Sequence, residues 1–212
     1  MKSITSYSQL GKLGAVRLSR SFLMRDFLYS EIASWHQIPN YPDAPDIAIE
    51  TGKRLCTELL EPLQETFGRL VILSGYRSPA VNDYGNKNKL NCASNEKNNG
   101  HHIWDYRDTN GHLGATTCVA VPWFAERNEA GESWTAMAWW IHNHLPYSNL
   151  EFYPFMSGFN IRWCEVPERR IDSYAAPKGC LTRPGMGNHD ADHSESYRGF
   201  PSPAVLPAPP TR

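Results

Sequence analysis

Residues 70–82, LVILSGYRSPAVN, constrain the chain more than any other stretch. Val71, Ile72 and Leu73 form a short β-branched and apolar run closed by Ser74-Gly75, the pattern of a buried strand. Ser78 is suited to cap a helix and Pro79 to stand in its first turn. The chain must therefore pass from strand to helix N-terminus within a few residues. That places Arg77 at the strand exit, where a guanidinium and free backbone N–H groups can together hold a carboxylate.

The flanking segments give a fold class. From Ser21, a candidate cap, Phe22, Leu23, Phe27, Leu28, Ile32 and Trp35 recur at near-helical spacing and predict a first helix. After the proline-rich IPNYPDAPD, Asp46 is expected to cap a second helix whose Leu55, Leu59, Leu63 and Phe67 step by four; Pro62 should kink it and Gly68 stop it. Residues 85–100 carry six Asn and predict a long polar loop. HHIWDYR and ATTCVAVPWF are β-compatible runs flanking DTNGHLG, which has the Asn-Gly signature of a hairpin. SWTAMAWWIHNHL predicts a helix capped by Ser133, and LEFYPF and FNIRWCEV predict strands. The expectation is an α+β domain with two leading helices, a central antiparallel sheet and an irregular C-terminal wrap. Residues 1–20 read as an arm, 21–172 as the domain and 173–212 as a Gly/Pro-rich extension, with a disordered tail expected from about residue 201.

Composition narrows the function classes. In 212 residues, 21 Lys and Arg stand against 22 Asp and Glu, so no global electrostatic argument favours nucleic acid or an anionic membrane as partner. The N-terminus lacks the apolar run of a secretory leader, no stretch matches the ~20 apolar residues of a membrane span, and the expected location is cytoplasmic. Five scattered cysteines form no CxxC pair, which argues against a disulfide framework or zinc ribbon. Seven of eight histidines lie beyond residue 100. His142 and His144, two apart on a helix, face away from each other. His189 and His193 in NHDADH have helical i, i+4 spacing without apolar periodicity, and read as a solvated loop.

SGYRSPAVN resembles the SGYRSP-x-x-N signature of the zinc D-alanyl-D-alanine carboxypeptidases, which share the Hedgehog/DD-peptidase fold. FLMRDFLYSEIASWHQIPNYP resembles the family's leading helix and its I-x-N-x-P turn, so the resemblance covers roughly residues 22–82. It implies a zinc-dependent carboxypeptidase acting on a peptidoglycan stem peptide or a D-dipeptide, with Arg77 holding the substrate. The family continues with S-x-H-x-x-G-x-A-x-D, whose His and Asp bind zinc, and with a later strand carrying a third ligand, His. Here two alignments stay open. By spacing, His101 and Asp108 keep the H-x6-D interval; by strand context, GATTCVAVP puts Cys118 at the aspartate, with His102 or His112 as the histidine. FNIRWCEVP has no histidine, so Cys164 or Asn160 stands at the third ligand, with Glu165 the nearest carboxylate and candidate base. The implied zinc set is His101 or His102 with Asp108 and a group near Cys164; a His102, Cys118, Cys164 set is the chemical alternative. The competing reading is a non-catalytic binding or structural module on the same fold. A wall substrate would be reached by export or after lysis.

Overall fold

The computed structural model describes residues 4–203 apart from Phe155, so the tail beyond residue 203 lies outside the described residues. The architecture is α+β, built on a six-stranded sheet of order β1-β2-β4-β3-β5-β6. Its strands are β1 (Val71–Ser74), β2 (Gly114–Ala120), β3 (Asn149–Phe152), β4 (Phe159–Cys164), β5 (Arg170–Ser173) and β6 (Gly179–Thr182). The sheet is mixed, not antiparallel, because β3 and β5 pair in parallel. β4 is already paired on both sides, by β2 and β3. A short return from β4 can therefore only add to the free edge of β3, and a strand antiparallel to β4 is parallel to β3. β5 and β6 also replace part of the expected irregular wrap with regular pairing.

The leading region is more broken than its periodicity suggests. Residues 7–14, expected in the arm, form α1 (Tyr7–Gly14), whose Leu13 is fully buried in the core. The single helix expected from Ser21 is instead a 3-10 turn at Met24–Phe27 followed by α2 (Glu31–His36), and Trp35 is 83% exposed. Two local carboxylate and hydroxyl bonds divide it: Asp26 accepts from the Leu23 N–H at 2.7 Å, and Ser30 caps a new start by accepting from Ala33 N–H. The second helix runs as α3 (Pro45–Leu55), a π turn at Cys56–Leu60 and α4 (Glu61–Phe67). Asp46 is not its cap. Pro45 opens the helix, and the Ala44 N–H donates to the carboxylate of Asp105 at 3.0 Å. The irregularity precedes Pro62, which stands in the first turn of α4 where its missing N–H costs nothing. Gly68 ends the run at φ +85°.

As expected, Ser78 caps α5 (Pro79–Lys87), accepting from Val81 N–H. The Asn-rich segment that follows is stitched down: the Asn82 amide donates to Ala93 O (3.0 Å) and Asn95 Oδ1 (2.7 Å), and α6 (Asn95–Asn98) interrupts the loop. HHIWDYR forms no strand and DTNGHLG no hairpin. Trp104 turns fully inward onto Phe27 and Tyr76 and donates its indole N–H to Thr116 O, which pulls the segment into turns that bridge β1 and β2. α7 (Pro122–Glu129) and α8 (Trp134–His144) follow, with Ser133 capping α8 as expected, and a 3-10 turn at Ser194–Tyr197 comes after the sheet. The core lies between the sheet and the helices, filled by Leu55, Leu59, Leu63, Ala115, Val119, Ile161 and their neighbours.

Candidate metal centre

Alternate residues of the central strands face away from that core. In register, Gly114 lies opposite Cys164, Thr116 opposite Arg162, and Cys118 opposite Asn160. On the next strand Asn149 lies opposite Arg162 and Glu151 opposite Asn160. Directly opposed residues project to the same side, so this face is polar across several strands.

At one end of the face, ligand atoms of Asp108, His112 and Cys164 all lie within 4.8 Å of one another. Local chemistry builds this convergence. One carboxylate oxygen of Asp108 accepts from the N–H groups of Asn110 and His112, both at 2.9 Å, while Asp108 N–H donates to His112 O at 2.9 Å. Gly111 at φ +82° permits the reversal. The Asp-Thr-Asn-Gly-His stretch thus closes on its own aspartate and returns His112 beside it, where β2 starts. Cys164, at the end of β4, is brought in by its register with Gly114.

Burial and charge set the protonation of these groups. Burial alone would raise Asp108, but the His112 and Asn110 N–H groups and the Arg162 guanidinium outweigh it and hold the carboxyl below its usual range. The Cys164 thiol is raised by burial. Arg162 is the organising cation, with its side chain 1% exposed. It donates to Asp108 (2.8 Å), Gly100 O (2.9 Å), Asn149 Oδ1 (3.1 Å) and Glu168 (3.0 Å). Beside it, Thr116 Oγ1 is the one buried side-chain oxygen among the described residues that lacks a hydrogen-bond partner.

The structure gathers two of the four expected metal ligands, Asp108 and Cys164, with His112, the histidine that the strand-context alignment leaves open beside His102. His101 and His102 are not members of this trio, and Asp108 acts on His101 only through its charge. His101 is pushed down to about 4 by burial and by Arg162. His102 is held well below its ordinary value by burial and Arg77, and its Nδ1–H donates to Gly75 O at 2.8 Å. That bond fixes the neutral tautomer. Glu165 follows Cys164 in the chain, and its Oε2 accepts from Leu113 N–H (2.8 Å) and from Arg107 (3.1 Å).

Arg77 belongs to the other end of the face. Its N–H donates to His102 O at 2.8 Å and its guanidinium to Cys92 Sγ at 3.4 Å. It acts electrostatically on Cys118, whose thiol burial pushes up to about 11. Cys118 lies opposite Ser74 at the exit of β1, four residues along β2 from Gly114. At ~3.3 Å per residue the two ends stand roughly 13 Å apart. Arg162 and Thr116 are the site residues least visible in the sequence, whereas His112 stands there as an open alternative to His102. The signal for His112 is the Asp-x-x-x-His interval across an Asn-Gly turn.

Comparisons with family models, with curated proteins and with solved structures give no match. Among the described residues no helix is long and apolar enough to cross a membrane.

Proposed function

We propose that the chain is a zinc-dependent hydrolase of the metallopeptidase type on a DD-peptidase-like fold, taking a peptidoglycan-derived peptide or D-dipeptide, with its metal held by Asp108, His112 and Cys164. The observation that carries this reading is the convergence of three unlike donors, carboxylate, imidazole and thiol, within 4.8 Å. Three protein ligands with a further position for water is the pattern of catalytic zinc, which supplies Lewis-acid activation of that water. The orphaned Thr116 hydroxyl next to Arg162 supports a polar occupant on this face. Glu165 is the candidate for moving the proton; both of its bonds go to Oε2, and its side chain sits with Leu113 and Trp163 against Thr51 and Arg54 of α3, on the side of β4 opposite Cys164. Arg107, which also donates to Gly111 O in the turn that holds His112, is the cation placed to receive a peptide carboxylate. Arg77 follows β1 at the Cys118 end of the face, and in this reading it holds a more distant part of the ligand.

One observation favours the second reading, a binding or structural module. Asp108 is already neutralised by a buried guanidinium and accepts three hydrogen bonds, so it has little capacity left for a cation. Zinc content and release of D-alanine from a D-Ala-D-Ala peptide, measured on the chain and on His112→Ala and Cys164→Ser, separate the two. The enzyme reading expects about one zinc per chain, lost in both variants together with turnover. A metal-free chain that binds the peptide without cleaving it supports the module.

A further inference from the structure

The part of the chain after β6 crosses α8 through a knot of imidazoles. His142 on α8 donates its Nε2–H to His189 O at 2.8 Å, and its Nδ1 accepts from the Tyr147 hydroxyl at 2.7 Å. His193 stacks on Trp139 with ring centroids 3.6 Å apart and donates Nε2–H to Asn188 O. The His189 and His193 rings lie 4.8 and 5.6 Å from that of His142. NHDADH is thus not the solvated loop its composition suggests: His193 is 7% exposed, because Trp139 offers it an indole face. Downstream, Asn143 donates to the Tyr197 hydroxyl, the Trp140 indole to Pro201 O, and Phe200 fills an aromatic groove between Phe67, Trp123 and Phe124.

We propose that residues 183–203 are a strap that acid releases from α8, with protonation of His142 as the trigger and the aromatic groove under Phe200 as the surface uncovered. Burial sets the direction. Neutral His142 uses its one N–H on the strap carbonyl and its one lone pair on Tyr147, and it is 6% exposed beneath the strap. A second proton reverses the Tyr147 hydroxyl from donor to acceptor and leaves a charge buried there, which opening of the strap returns to water. The groups facing His142 are Tyr147 and Arg169 from the body and His189 and His193 from the strap. Arg169 donates to His142 O at 2.5 Å and lies over the Tyr147 ring. None of these is a carboxylate, so a charged His142 meets only neutral or cationic neighbours.

Burial first, with Arg169 and the two strap imidazoles, pushes His142 down to about 4 and outweighs the raising effect of its bond to His189 O. A histidine freed to water returns toward ~6.5, so the docked strap is favoured above that pH and progressively lost as pH falls toward the docked value.

Amide hydrogen exchange followed by mass spectrometry, corrected for the intrinsic effect of pH, tests this at pH 7.5 and pH 5. Opening of the strap is expected to rise about tenfold or more at pH 5 while the peptides of β2 and β4 stay protected. His142→Gln keeps an N–H donor without a titrating ring and should abolish the acid response. An unchanged strap in the natural chain, or an acid response in His142→Gln equal to the natural one, overturns the proposal.

Discussion

The Arg162 guanidinium holds the Asp108 carboxylate at 2.8 Å with its own side chain 1% exposed, and that contact ties the 108–112 turn to the middle of the sheet. Arg162 also binds Gly100 O, Asn149 and Glu168, so one buried cation joins β3, β4 and the bridging segment before β2. Replacing it with alanine takes the side-chain donor from Gly100 O and from Asp108 Oδ2 and leaves that carboxylate without its cation. Arg162→Ala should lower unfolding free energy by about 3–5 kcal/mol, measured by urea denaturation. A loss under about 1 kcal/mol would show that the guanidinium does not organise this region.

His101 predicts an acid-sensitive stability. Its folded value is near 4 and its unfolded value ~6.5, so its contribution is present above pH 6.5 and declines as pH falls toward 4. The depressed Asp108 acts in the same direction at lower pH, its contribution being lost as the carboxyl protonates. Between pH 7.5 and pH 5, His101→Asn should lose about 2 kcal/mol less stability than the natural chain. Parallel pH profiles for the two would contradict this environment for His101.

Asn40 is a clip whose removal should loosen the Arg77 turn. Its amide donates to Leu28 O (2.9 Å) and Tyr76 O (3.0 Å), and its oxygen accepts from Ser78 N–H (2.7 Å). Three partly buried bonds at roughly 0.5–1.5 kcal/mol each predict a loss of about 2–3 kcal/mol in Asn40→Ala, read from the urea midpoint. The amides of residues 76–78 should then exchange faster than those of β4.

Gly114 allows the closest backbone approach in the site. A Cβ built there would lie 2.3 Å from Gly100 O and 2.9 Å from Trp163 O. Gly114→Ala should therefore cost at least about 2 kcal/mol and widen the gap between His112 and Cys164. Thermal unfolding of Gly114→Ala beside the conservative Ala115→Gly checks that the loss comes from backbone crowding.

The sequence makes some of this legible and hides the rest for physical reasons. β1, β2 and β4 are visible because their apolar residues alternate or run together, and Ser78, Pro79, Ser133 and Gly68 mark helix ends through their own backbone preferences. The single helix expected through Phe22 and Trp35 is not formed, because its apolar spacing ignores the carboxylate of Asp26 and the hydroxyl of Ser30, which end one element and start another. β5 offers only Ile171 as a buried apolar residue, so its parallel pairing depends on which sheet edge is free. The Asn-Gly pair does mark a turn, but the turn closes on Asp108 instead of joining two strands. That difference brings His112, rather than His101 or His102, to Cys164.

The most direct test is metal content of the purified chain before and after dialysis against a chelator, with melting temperature followed alongside. Zinc at about one per chain, lost on chelation with a fall in melting temperature, restored by added zinc and absent from His112→Ala and Cys164→Ser, is the predicted result. Zinc well below stoichiometric with no change in melting temperature would contradict the metal centre at Asp108, His112 and Cys164 and leave Arg162–Asp108 as a structural clasp.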